Sequence, residues 1–197
     1  MGHAMTANKK TLADIIAFAR RFCAPLTRFA AERRGLAAIE FAMLLPVMLT
    51  LYLGSYEATT GVATQRKVTL TARALADLAS QFTIIHNSDM TNILNAASDI
   101  IAPYAANKLG VTVSELAVDG QGNATVAWSD TLNGTARAVG SVVNIPTTLA
   151  VPSSYLILGE ASYAYNPTYG YVLTGTMTLS DQIYMSPRVS TSVTRAP

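Results

Sequence analysis

The chain has 197 residues, half of them apolar and only 13% charged, against roughly a quarter charged in an average soluble domain. With a mean hydropathy of +0.29, this composition excludes a disordered chain, which needs low hydrophobicity and high charge, and it disfavours an ordinary soluble enzyme. The net charge of +2 hides a split at Gly35: seven basic residues against two acids up to that point, a net +5, and seven against ten beyond it, a net −3. A basic N-terminal arm on an acidic remainder points to a membrane or nucleic-acid surface, and a single cysteine, Cys23, rules out a disulfide framework or a multi-thiolate metal site within one chain.

In chain order, Leu12, Ile15, Ile16, Ala19, Phe22, Cys23, Leu26 and Phe29 recur at helical spacing with arginines between them. Residues 1–35 are therefore expected to form a basic, amphipathic cytoplasmic leader lying on the anionic leaflet rather than a transit peptide. Leu36 to Tyr56 follows, 21 residues with one charge, Glu40. As a helix it spans about 31 Å, enough for the hydrocarbon core of a bilayer. The basic residues that precede it place the N-terminus in the cytoplasm. Pro46 is tolerable inside such a span. A cleaved secretory signal ending near Gly61-Val62-Ala63 fits poorly, because its basic region would be about 35 residues long and its apolar region would contain an acid.

Residues 57–197 are expected to be an extracytoplasmic domain. Val68, Ala72, Leu75, Leu78, Ala79 and Phe82 share one helical face, so the membrane helix is predicted to run on to Phe82, with Gly54 and Gly61 as places where it could bend. A second helix is predicted from Ser88 or Asp89 to about Leu109, stopped by Gly110. The period then becomes that of strands. Val111–Asp119 and Asn123–Ser129 read as a hairpin about a glycine-rich turn, and Tyr155–Tyr165 with Tyr171–Tyr184 as another. Tyr163, Tyr165, Tyr169 and Tyr171 cluster at the second turn, where cross-strand packing is the expected role and a contact surface the alternative. Thr131 to Pro152, rich in glycine and proline, has no readable period. The fold class is α+β: a long N-terminal transmembrane helix continuing into a domain with a mainly antiparallel sheet.

Residues suited to catalysis are sparse. His3 and His86 have no partner at metal-ligand or triad spacing, and no glycine-rich loop joins a strand to a helix as a phosphate cradle requires. Neither an enzyme nor a cofactor is expected. Nucleic acid is disfavoured as well, since the positive charge crowds beside the membrane while the domain is acidic. Asn123-Ala-Thr and Asn133-Gly-Thr match glycosylation acceptors, a pattern short enough to arise by chance. Glu40 is the informative residue. An acid about one turn inside an apolar helix costs up to about 3 kcal/mol at mid-bilayer and less toward the interface, so it calls for a functional reason.

Arg33-Arg34-Gly35-Leu36-Ala37-Ala38-Ile39-Glu40-Phe41 resembles the processing site of type IV prepilins, and more closely that of the TadE-like minor pilins of tight-adherence (Tad) pili. Tyr163-Ala164-Tyr165-Asn166-Pro167 and Tyr184-Met185-Ser186-Pro187-Arg188 look like that family too. The resemblance implies cutting by a prepilin peptidase after Gly35, with Leu36 as the new N-terminus. It also implies a pairing of the Glu40 carboxylate with the Leu36 ammonium of a neighbouring subunit in a low-dielectric helical bundle. It names as partners other pilin-like subunits, Tad assembly proteins, the peptidase and membrane lipids, in a bacterial inner membrane and in the service of adherence or secretion. The large domain after the span fits a minor pilin-like or pseudopilin-type component rather than the bulk filament subunit.

Overall fold

A computed structural model of the chain describes residues 33–169 and 175–197. The basic leader up to residue 32, and with it Cys23 and His3, lies outside the described residues, as does Tyr171. The chain divides into two units, Met1–Leu53 and Gly54–Pro197.

Helix α1 (Arg33–Ser80) contains the apolar run, with Pro46 inside it. In the first unit its large side chains from Leu36 to Tyr52, among them Phe41, Met43, Leu44 and Val47, are exposed. No face is polar, which is what a helix surrounded by hydrocarbon requires. The helix passes through Gly54 and Gly61 without interruption. Several of its threonines turn their hydroxyls back to the backbone one turn earlier: Thr50 Oγ1 donates to the Pro46 carbonyl at 2.8 Å, and Thr59, Thr60 and Thr64 do the same to Ser55, Tyr56 and Thr60. Each hydroxyl is thereby satisfied without water.

In the second unit Val68, Ala72, Leu75, Ala76 and Ala79 are fully buried on one face of α1, as their spacing predicts. Strand β1 (Ile84–Ile85) leads to α2 (Asn87–Ile101). The entry to α2 is fixed by Asp89, whose Oδ2 accepts the His86 backbone N–H at 3.0 Å. This helix ends well short of the predicted Leu109. Pro103 lacks the N–H a helix needs and drives the preceding residue out of the helical region, and Leu109 already belongs to a strand.

Strands β2 (Leu109–Val118), β3 (Ala124–Leu132), β4 (Val142–Val143), β5 (Tyr155–Tyr165) and β6 (Met177–Met185) form one sheet in the order β4-β3-β2-β5-β6. Every neighbouring pair in it is antiparallel. Both predicted hairpins are present; the described return strand of the second is Met177–Met185, its predicted start at Tyr171 lying outside the described residues. The stretch Thr131 to Pro152 contributes β4 and a short 3₁₀ turn, Thr147–Leu149. Finally β7 (Thr194–Arg195) pairs with β1 in parallel.

Two apolar clusters hold the domain. The larger joins α1, α2 and one sheet face through Val68, Leu75, Ile93, Ile101, Val111 and Ile157, among others. The smaller lies at one end of the other face, around Leu116, Val126, Val143 and Leu158. A bulge assigns β3 to both. Glu115 lies opposite Trp128 while Leu116 lies opposite Val126, so Ala127 is the extra residue. Trp128 therefore enters the helix-side core while Ala124 and Val126, although of the same parity, enter the smaller one. The rest of that second face is hydroxylic: Thr112 pairs with Thr131 at 3.0 Å and Ser114 with Ser129 at 2.8 Å. Beside them Arg137 clamps Glu160 through two bonds of 2.7 Å.

Candidate functional site

Helix α1 is described from Arg33 onward, so the Gly35–Leu36 bond lies close to the start of its described part. A Cβ built on Gly35 would meet nothing within 4 Å, and no left-handed φ demands glycine there. Packing among the described residues thus gives no reason for glycine at this position. Leu36 is 60% exposed. Glu40 lies one turn further on, on the same side of the helix as Leu36. It is exposed among apolar neighbours and has no ion-pair partner among the described residues.

The second constellation starts at Glu57, the first residue beyond the apolar run. Its Oε1 accepts the backbone N–H of Tyr169 at 2.6 Å and its Oε2 the hydroxyl of Tyr165 at 3.2 Å. Tyr56 and Tyr169 meet edge to face with centroids 6.1 Å apart. One carboxylate thereby ties α1 to the end of β5 and the start of its turn. Burial, then the bond to Glu57, pushes the Tyr165 phenol above its usual range. Tyr163 is buried and packs edge to face on Tyr104 at 6.2 Å. Tyr163 and Tyr165 are both buried in the larger core cluster. Of the four clustered tyrosines, Tyr169 alone among those described presents its ring to solvent.

Two acids escape a reading by motif. Glu57 could have been found as the charge next to the end of the apolar run. Glu115 sits in a mostly buried strand, Leu-Gly-Val-Thr-Val-Ser-Glu-Leu-Ala-Val, on the same face as the core residues Val111 and Val113. It is 3% exposed, and its Oε1 accepts the Val193 N–H at 2.6 Å, while Trp128 Nε1 donates to the Val193 carbonyl at 2.7 Å. Burial raises the Glu115 carboxyl above the ordinary range, against the lowering effect of the Val193 N–H. The C-terminal tail is held further by Arg195, which reaches Asp130 at 2.9 Å, Asn87 and the Ile85 carbonyl. His86 is a helix-entry residue, its Nδ1 3.4 Å from the Pro197 carbonyl. Among the described residues no group of three or more His, Cys, Asp or Glu side chains converges as a metal site would.

The chain combines one helix long and apolar enough to cross a membrane with an α+β domain. Residues 35–77 match the family model described as TadE-like protein, the family that the N-terminal motif resembles. The matched stretch holds Gly35, Leu36, Glu40 and Glu57 together with the helix face Val68, Ala72, Leu75 and Ala76. Neither the curated proteins nor the solved structures yield a match to this chain. The TadE-like segment and the apolar helix fit a membrane protein related to Tad pili.

Proposed function

We propose that this chain is a single-pass inner-membrane protein, N-terminus in the cytoplasm, that acts as a minor pilin-like component in assembly of a Tad-type pilus serving adherence or secretion. The observation that carries the reading is the conjunction on one stretch of α1 of Gly35, which packing among the described residues leaves unexplained, the exposed Leu36, and Glu40, without an ion-pair partner among the described residues, all at the start of the TadE-like match. Cutting after Gly35 by a prepilin peptidase removes the +5 arm and creates an ammonium at Leu36. In a bundle of such helices the Glu40 carboxylate of one subunit then pairs with the Leu36 ammonium of the next, and a subunit out of register leaves a charge uncompensated in low dielectric.

Two measurements test this. Intact-mass analysis of protein extracted from membranes and from sheared pili should give a chain beginning at Leu36; a chain retaining residues 1–35 in assembled material overturns the processing step. Glu40→Gln should insert at the normal level and lower pilus yield about tenfold or more, since removing one partner of a buried ion pair costs about 3–5 kcal/mol. Unchanged piliation removes the ion pair from the mechanism.

A further inference from the structure

A groove of about 410 Å³ opens along the second unit between the part of α1 just beyond Tyr56 and the β5–β6 hairpin. Ala58, Gly61 and Val62 form its helix wall, and Tyr165, Met177 and Leu179 its sheet wall. The two polar residues that border it are each hydrogen-bonded to the protein. Glu57 is engaged by Tyr165 and Tyr169, and Gln65 Nε2 donates to the Ser180 carbonyl at 3.1 Å. What remains is apolar surface, with Val62 55% and Met177 43% exposed. Gly61 keeps it open: a Cβ there would approach only Tyr165 Cε1, at 3.9 Å, so a larger side chain would fill the groove without striking backbone.

Position identifies the occupant. At 1.5 Å per residue, Ala58 and Gly61 follow Tyr56 by about 3 and 7.5 Å of helix. The headgroup zone on each side of a bilayer is roughly 5–7 Å deep. An apolar groove whose near end abuts the hydrocarbon boundary is continuous with the solvent of the span itself. We propose that it takes an acyl chain of an outer-leaflet phospholipid, which covers Val62 and Met177. The inference rests on the reading of residues 36–56 as a membrane span and is independent of processing at Gly35.

The test uses the full chain reconstituted in phosphatidylethanolamine–phosphatidylglycerol vesicles containing a phosphatidylcholine with a diazirine near its acyl terminus, irradiated and mapped by peptide mass spectrometry. Adducts are expected on residues 58–65 and 177–179 as well as on 36–56. Gly61→Leu, which fills the groove, and Met177→Glu, which charges it, should each lower the groove adducts about tenfold, the effect of roughly 1.4 kcal/mol, and leave the span adducts unchanged. Native Trp128 fluorescence verifies that each variant is folded. Adducts confined to 36–56, or groove adducts indifferent to both substitutions, overturn the proposal while the span stands. Adducts absent from both regions overturn the span reading and the groove with it. Peptide–peptide adducts joining the groove to a second copy, in place of lipid adducts, overturn it in favour of a self-association surface.

Discussion

Gly159→Ala should cost the domain about 3 kcal/mol or more and lower its melting temperature by at least about 6 °C, at roughly 2–4 °C per kcal/mol for a domain of this size. Gly159 sits in β5 directly beneath α1. A Cβ there would lie 2.4 Å from the Ala72 carbonyl oxygen, 3.0 Å from the Ala76 Cβ and 3.1 Å from the Ala76 nitrogen. Overpacking against side chains typically costs about 1–3 kcal/mol because they can move. Here the nearest obstacle is helix backbone, so either α1 lifts from the sheet or β5 shifts against both its neighbours, β2 and β6. Against a total of roughly 5–15 kcal/mol that is a large fraction. The measurement is thermal unfolding of the full chain in detergent, followed by the fluorescence of Trp128, the one tryptophan. Gly120→Ala is the control, since a Cβ at Gly120 meets nothing within 4 Å. Adding Ala76→Gly to Gly159→Ala should recover little, because it removes the 3.0 Å contact and leaves the 2.4 Å one. Full recovery would show that the approach is limited by side chains after all.

Glu115→Ala should cost about 2–4 kcal/mol at neutral pH, the sum of a buried N–H left without an acceptor and a small cavity. The freed group is the Val193 N–H, so the C-terminal tail should become the first site of protease cleavage. Glu115→Gln separates charge from acceptor, because its amide oxygen can still receive that N–H. The sign of the pH effect follows from linkage. The folded Glu115 carboxyl holds its proton to higher pH than the unfolded one, so the folded state binds more protons in that interval and wild-type stability falls as pH rises through it. The melting-temperature difference, wild type minus Glu115→Gln, should therefore decline from the ordinary glutamate value of about 4.5 upward and level off above the folded value. Asp119, held below its usual range by the Asn123 side chain and backbone, weakens both proteins equally in acid and cancels from the difference. A difference that is flat with pH, or that grows, would refute a strained Glu115 carboxylate.

How much of this was legible beforehand varies with the kind of information each residue carries. The apolar run, the buried face Val68-Ala72-Leu75-Ala79 and the strands around the two turns are properties of one segment at a time, and periodicity reports them. The predicted end of α2 near Leu109 rests on the weak glycine stop at Gly110, whereas Pro103 is the stronger breaker and the helix ends at Ile101. At the candidate site, Gly35, Leu36 and Glu40 were visible because motif and hydropathy converge there, whereas Glu57 acquires meaning only when Tyr165 and Tyr169 arrive from more than a hundred residues away.

By itself, the sequence determined that the chain carries a membrane-length helix with a basic arm before it, an α+β domain after it, and a TadE-like N-terminus. These follow from charge, hydropathy and spacing, which are local sums. Tertiary structure alone decided that Tyr163 and Tyr165 are buried in the larger core cluster, that the bulge at Ala127 divides one alternating strand between two cores, and that Gly159 is needed for helix and sheet to touch. The reason is steric and electrostatic: burial, close approach and the pairing of a buried acid depend on what covers a residue, and the covering element is distant in the chain.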